Sequence, residues 1–333
     1  MNVHRNIHHD KLLFDNKLID DFFKGEHTHD SEHSTFMFKI PFDQFTDLTC
    51  INKGGFSAIY KATWKCDHEN EIDVVLKVIE DTKNMDSAFL NELMVYTRCG
   101  KNFSDLHFQE IYGICRDPKT KKFIIVMKLA LHGDLHHFLL NNINILSWQE
   151  KLNILKFIAW SLMNLHQKDI IHCDFHSGNI LINDDGCAKI SDFGVSKLAD
   201  MSYNHNQIYG IIPYVAPEVL EHGHYTKQSD IYSLGMIMWE VINGCKPFCD
   251  REYDAFLILE IIYGLRPKFI DGTPQELIDL IEKCWNYIPS KRPTANEIMN
   301  DLDFITQKEI QSADMNNEGI DISTLFFDNA TPM

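Results

Sequence analysis

The stretch Ile171–Asn183, IHCDFHSGNILIN, followed by Ile190–Gly194, ISDFG, decides the reading of this chain. It places Asp174, Asn179 and Asp192 within one short span. Asp174 supplies a carboxylate that can orient a hydroxyl and accept its proton. Asn179 and Asp192 supply an amide oxygen and a second carboxylate, hard donors suited to Mg²⁺ on phosphate oxygens. A single Asp in a loop is more often a cap or turn residue. The joint pattern carries the specificity.

Size and composition set the frame. A chain of 333 residues is long enough for one large domain or two lobes around a cleft. Hydrophobic content of 44% and charged content of 24% are those of a soluble globular protein. No apolar run approaches a membrane span, and MNVHRNIHHD lacks the apolar core of a signal peptide. The expectation is a cytoplasmic protein without membrane insertion. The nine Cys are scattered, with no C-x-x-C pair, so neither a zinc ribbon nor a disulfide framework is expected. Cys245 and Cys249, the nearest pair in sequence, read as two unrelated thiols. A net charge of −17 argues against nucleic acid or an anionic membrane as partner.

The chain divides into three parts. Residues 1–40 are polar and His-rich and read as a loosely docked extension, with Leu12–Phe14 and Leu18–Phe23 able to pack as a short helix. From about residue 41 the pattern is strand-rich. Ile51–Tyr60 reads as strand, Gly turn, strand; Glu71–Ile79, Glu110–Cys115 and Lys122–Met127 are further strands, and Ser87–Cys99 has helical spacing. This is a small β-rich lobe over residues 41–127. Over 131–305 the pattern turns helical, with Trp148–His166, Asp230–Asn243, Pro274–Trp285 and Ala295–Leu302 as helices and Gly244 as a C-cap. Residues 306–333 read as a tail.

Two features of the β-rich part bear on chemistry. Gly54 and Gly55 form a turn whose backbone N–H groups can approach phosphate closely, although a Gly pair between strands is usually just a hairpin. Lys77 lies inside an apolar strand, VVLKVI, where it costs desolvation unless paired. Glu92 on the next helix is the natural partner. The bland alternative is a surface strand with alternating charge, since Asp73 lies on the same segment.

With these residues in order, the chain resembles a eukaryotic protein kinase over residues 41–305. The matching motifs are the Gly turn, Lys77, Glu92, a hinge at Met127–Ala130, the catalytic loop, Asp192-Phe-Gly194, Ala216-Pro-Glu218, Asp230 in SDIYSLG and Arg292 in SKRPT. The resemblance implies an α+β bilobal fold with ATP and Mg²⁺ in the cleft and a protein substrate. It implies Asp174 as catalytic base, Lys77 held by Glu92 on the α/β-phosphates, and Asn179 and Asp192 on Mg²⁺. It further implies nucleotide contacts from Ile51, Gly54 and Gly55. Ile59, Val75 and Leu181 sandwich the adenine, Met127 and Ala130 form the hinge side, and Asp134 approaches the ribose. Glu218 with Arg292 resembles a buried ion pair, and Asp230 an anchor for the catalytic-loop backbone. HSGNILI, PYVAPEVL and KCWNYIPSKRPT are similar to the tyrosine-kinase-like group, most of all to an expanded fungal set, which usually phosphorylates Ser/Thr.

Five positions depart from the family pattern. Asn52 and Ser57 stand at the first and third Gly positions of the phosphate loop, which implies weaker ATP binding. His176 stands where Ser/Thr kinases carry a Lys that meets the transferred phosphoryl group; its imidazole is fully charged only below an unperturbed pKa of ~6.5. It reads either as a contributor to transfer or as a residue that orders the loop. Ile211 replaces a Thr. Cys173 replaces the Arg that would pair with a phosphate on the activation loop, where Ser196, Ser202, Tyr203 and Tyr209 are the hydroxyls available. Phosphorylation is therefore not expected to be required through that Arg. The leading reading is an active serine/threonine protein kinase. The rival is a pseudokinase scaffold that binds ATP with little turnover, and a small-molecule phosphotransferase fits poorly. No residue pattern speaks to oligomeric state.

Overall fold

β-branched and aromatic residues lay down a six-stranded sheet in the computed structural model, which describes residues 19–20, 38–54, 57–66, 70–79, 85–99, 108–199 and 208–316. The strands are β1 (Phe38–Lys39), β2 (Phe45–Lys53), β3 (Ser57–Lys65), β4 (Glu71–Ile79), β5 (Ile111–Arg116) and β6 (Phe123–Lys128). Their order is β1-β5-β6-β4-β3-β2, with β1 parallel to β5 and the other pairs antiparallel. Helix α1 (Met85–Cys99) packs on one face of the sheet through Phe89 and Leu93, both fully buried. The other face closes over a separate cluster built from Phe45, Trp64, Val74, Leu76, Ile124 and Val126. Side chains alternate along a strand, so register decides which residues share a face. Ile59 pairs with Lys77, and Val75 pairs with Met127. That register puts Ile59, Val75, Lys77 and Met127 on one face.

The remaining part is helical. It comprises α2 (Leu135–Asn142), α3 (Trp148–Gln167), α4 (Pro217–His222), α5 (Lys227–Asn243), α6 (Ala255–Ile262), α7 (Gln275–Cys284) and α8 (Ala295–Asn316). The short pairs β7 (Ile170–Ile171) with β10 (Lys197–Leu198) and β8 (Ile180–Ile182) with β9 (Ala188–Ile190) lie between α3 and α4. Helix α3 starts on a capping box in which Ser147 and Glu150 satisfy each other's backbone N–H. Its stripe Leu152, Leu155, Ile158, Leu162 and Leu165 is buried. Helix α5 is buried from Ser229 to Ile242 and forms the axis of this lobe. It ends at Gly244, φ +76°, whose N–H returns to Glu240 O at 2.7 Å.

The α+β bilobal fold is the one expected. Differences fall at ends and at short elements. Helix α8 runs to Asn316, beyond Leu302, with Ile298, Leu302 and Ile305 buried on the core. Helices α2, α4 and α6 were not anticipated; α6 (AFLILEII) is apolar on most sides, and such a run reads equally as strand. Ile19 and Asp20 are helical, and Ile19 is fully buried in the main core. The other residues of the two N-terminal apolar groups, the six His of the extension and the segment 317–333 lie outside the described residues.

A Cβ added at Gly244 would fall 2.5 Å from Ile143 Cγ1, in a backbone region that L residues disfavour. Gly244→Ala is therefore expected to lower stability by about 2–3 kcal/mol, read as a lower urea midpoint at unchanged slope.

Candidate active site

The cleft is organised by one ammonium. Lys77 Nζ lies 2.7 and 2.8 Å from the two Glu92 oxygens and 2.8 Å from Asp192 Oδ1. Lys77 and Glu92 are buried, whereas the Asp192 side chain is 41% exposed and faces the cleft. Burial by itself would depress Lys77, but Asp192 and Glu92 together outweigh it and hold the ammonium above its ordinary value. Burial likewise acts to raise Asp192, and the Lys77 charge more than offsets it, so the carboxyl sits below the usual range. Glu92 is pushed up by burial against the pull of Lys77. The three groups come from β4, α1 and the segment after β9.

That segment is held from several sides. Phe193 is fully buried, with ring centroids 5.0 Å from Tyr96, 5.7 Å from Phe108 and 5.3 Å from His172. Asn91 of α1 donates to Phe193 O at 3.1 Å and to Ser196 O at 2.8 Å. Asp192 itself has φ +64°, a left-handed conformation for a non-Gly residue that surrounding contacts must hold.

The catalytic-loop candidate is anchored by Asp230, at the start of α5 and buried. Its carboxylate accepts N–H groups from His172 at 2.8 Å and Cys173 at 3.2 Å, and pairs with His166 Nε2 at 3.0 Å. This holds Cys173 at φ +68°. The Cys173 thiol is 3% exposed, and burial pushes it well above its usual range, so it is a neutral, enclosed group. His172 is also kept neutral by burial. Its Nε2 lies 3.1 Å from Ser191 O and its Nδ1 accepts Asp174 N–H at 3.3 Å, which assigns the proton to Nε2.

Asp174 faces His176. His176 Nδ1 accepts Gly178 N–H at 3.0 Å, which leaves Nε2 to carry a proton, 3.3 Å from Asp174 Oδ1. Burial acts to raise the Asp174 carboxyl; the neighbouring His176 more than offsets it, so the group sits below its usual range. Asp174 Oδ1 is buried without a hydrogen-bond partner among the described residues. Ile211, which has no hydroxyl, stands on the adjoining segment, and both residues line one water-sized cavity. Asn179 donates Nδ2–H to Asp174 O at 2.8 Å, leaving its amide oxygen for a cation. Ser191 N–H donates to Asn179 O at 2.9 Å, which sets Asn179 one residue from Asp192. An amide oxygen beside an ionised, cleft-facing carboxylate is a donor set that fits Mg²⁺.

Of the residues read as nucleotide contacts, Ile59, Val75 and Met127 share the sheet face of Lys77. Val75, Met127 and Ala130 are buried, and Ile59 is half-buried. Leu181 on β8 bridges Asp134, and His132 N–H reaches Ile182 O, so β8 meets the end of the hinge. The Asp134 carboxylate caps α2, accepting His137 N–H at 3.0 Å and pairing with its ring at 2.7 Å. Ile51 and Gly54 are exposed, Asn52 pairs with Ile59, and Gly54 N–H closes the turn on Ser57 O. Gly55 lies outside the described residues, as do Ser202 and Tyr203.

On the far side, Arg292 clasps Glu218 through two bonds of 2.6 and 2.7 Å and donates to Gln228 O and Asn286 O. Its guanidinium lies over the Tyr232 ring. Sequence reasoning missed Tyr214, whose hydroxyl donates to Glu240 and lies 3.3 Å from Ser177 Oγ, tying the catalytic loop to α5. It also missed Tyr96 and Phe108. Their roles arise from contacts distant in sequence, which local spacing does not mark.

Comparison with known proteins agrees with this geometry. A family model described as protein tyrosine and serine/threonine kinase matches residues 46–302. A protein of Dictyostelium discoideum named "probable serine/threonine-protein kinase" is 31% identical over 76% of this chain and 15% of its own length. A serine/threonine-protein kinase of Arabidopsis thaliana is 26% identical over 77% of this chain and 43% of its own length. The chain thus spans less than half of either relative.

The Arg292 side chain is fully enclosed, so removing it strands the Glu218 charge. Arg292→Ala is expected to cost about 3 kcal/mol, and Arg292→Lys to recover only part because a point charge cannot replace the two-bond fork. Chemical denaturation of both variants checks this.

Proposed function

We propose a phosphotransfer role for this chain, which belongs to the protein tyrosine and serine/threonine kinase family. It is an ATP-dependent protein kinase that phosphorylates Ser/Thr hydroxyls of protein substrates in intracellular signalling. The observation that carries this reading is the pairing of Lys77 with both Glu92 and Asp192, beside an ionised Asp174 whose inner oxygen makes no hydrogen bond and faces only the His176 ring. A buried carboxylate oxygen without a partner is costly unless a substrate hydroxyl fills the role.

Each residue then has a task. Asp174 orients the acceptor hydroxyl and takes its proton as the oxygen attacks the γ-phosphorus and the bond to the β-phosphate oxygen breaks. Lys77, kept charged and placed by Glu92, binds the α/β-phosphates. Asn179 and Asp192 would hold Mg²⁺, which neutralises charge on the phosphate oxygens when bound. Ile59, Val75, Met127, Ala130 and Leu181 enclose the base, Asp134 lies toward the ribose, and Ile51, Gly54 and Gly55 cover the phosphates. His176 presents Nε2–H to the reacting side of Asp174 and contributes to transfer. Cys173 is neutral and enclosed, so loop phosphorylation is not required through it.

The catalytic unit is residues 41–305, flanked by 1–40 and 306–333. HSGNILI, PYVAPEVL and KCWNYIPSKRPT support placement in the tyrosine-kinase-like group and likeness to the expanded fungal set. All nine thiols are free, which supports a cytoplasmic setting. Among the described residues no helix is long and apolar enough to cross a membrane.

Transfer of labelled phosphate from ATP to a generic protein acceptor tests the reading. Asp174→Asn is expected to lower turnover by roughly 10²–10⁴-fold, and phosphoamino-acid analysis to return phosphoserine and phosphothreonine. Equal background from wild type and variant would favour the scaffold. His176→Ala is expected to lower kcat about tenfold with KM for ATP little changed, the signature of a lost transition-state contact. Wild-type turnover in that variant would remove His176 from the chemistry.

A further inference from the structure

With Cys173 enclosed and neutral, some other group must hold the segment before α4 against Asp174. Tyr225, in the turn between α4 and α5, is built for this. Its hydroxyl accepts Tyr209 N–H at 2.6 Å and donates to Tyr209 O at 2.7 Å. One side-chain oxygen thus satisfies both backbone groups of one residue. Burial pushes the phenol up, so it stays protonated and able to do both. Lys197 Nζ sits 4.9 Å from the Tyr225 ring centroid. Lys197 belongs to β10, paired with Ile171 at the entry to the catalytic loop.

The clamp acts next to the chemistry. Tyr209 precedes Gly210, whose φ of +106° is one that L side chains rarely adopt. The position of a Gly210 Cβ lies 3.5 Å from Asp174 Oδ1, the oxygen that makes no hydrogen bond. Tyr225, Cys173, Asp174, Gly210 and Ile211 line one water-sized cavity. A shift of the Tyr209 peptide therefore moves the wall against which an acceptor hydroxyl would meet Asp174.

We propose that Tyr225 is a positioning residue for phosphotransfer: its hydroxyl clamps the Tyr209 peptide and sets Gly210 and Ile211 over Asp174 without a phosphate on the segment. This rests on the kinase reading above. The Lys197–Tyr225 contact fixes the plane of the ring and ties the clamp to the start of the catalytic loop.

The test uses the full chain, treated with phosphatase and shown phosphate-free by mass spectrometry, as wild type, Tyr225→Phe and Tyr225→Ala. Tyr225→Phe keeps the ring and its Lys197 contact and removes only the hydroxyl. Amide hydrogen exchange across residues 208–212 is expected to speed up by about tenfold or more in Tyr225→Phe, with α5 unchanged, as for loss of two hydrogen bonds. Acceptor kcat/KM is expected to fall about tenfold while KM for ATP stays within about twofold, because the Lys77 side of the cleft is untouched. Tyr225→Ala is expected to be worse on both readouts. Unchanged exchange in Tyr225→Phe overturns the clamp. So does parallel loss of ATP affinity and thermal stability, which marks a merely structural role, and so does a phosphate-free wild type that is silent until its loop is phosphorylated. A wild type no better than Asp174→Asn before and after loop phosphorylation would count against the kinase reading alone, and the exchange measurement would still decide the clamp.

Discussion

The buried ammonium of Lys77 is the constraint on which the rest of this structure depends. A lone charge inside a sheet costs several kcal/mol in lost hydration, and only close, well-oriented carboxylates offset it. Here they come from two different elements, Glu92 on α1 and Asp192 after β9. The pairing therefore forms only when α1 is docked on the sheet and the Asp192 segment is seated. Packing and charge reinforce each other, since Tyr96 of α1 holds Phe193 while Asn91 grips the same backbone. Displacing α1 takes Glu92 from Lys77 and removes the contacts that hold the Asp192 segment.

Asp230 plays the matching part in the helical lobe. It lies on the buried axis α5 and draws two successive N–H groups of the catalytic loop onto one carboxylate. That grip sustains the left-handed backbone at Cys173. Energy spent on strain at such a point is characteristic of functional loops, where position matters more than local stability. The same axis carries Glu240, which reaches Tyr214, and Ser233, which donates to Tyr214 O. The loop that bears Asp174 and the segment that faces it are thus referred to one rigid helix.

The departures from the family pattern acquire a common sense in this light. Ile211 has no hydroxyl to offer, and Asp174 keeps an oxygen without a hydrogen bond. Cys173 has no charge to offer, and the neighbouring backbone is held by the hydroxyl of a tyrosine whose ring a lysine overlies. His176 replaces a flexible cation with a ring whose second nitrogen is tied to Gly178 N–H, giving a fixed donor in place of a mobile charge.

Strong local signals made much of this legible without coordinates. The β-branched strand around Lys77, the amphipathic α3 and the Gly244 cap are all written in short-range spacing. So is the order of Lys77, Glu92, Asp174, Asn179 and Asp192, which fixes a bilobal α+β fold and brings a defined set of groups to one cleft. Short helices such as α6 escaped because an apolar run of eight residues has no decisive period. The Phe193 stack, the Tyr214–Glu240 link and the Tyr225 hold on Tyr209 escaped for a different reason. Each joins residues far apart in sequence through one hydrogen bond or one ring contact, and only packing selects which aromatic meets which partner. Sequence alone thus determined the chemical inventory and its order along the chain, since those follow from residue type and spacing. Tertiary structure alone decided which charges neutralise one another and what holds the catalytic backbone in place, since burial and distance exist only once the chain is packed.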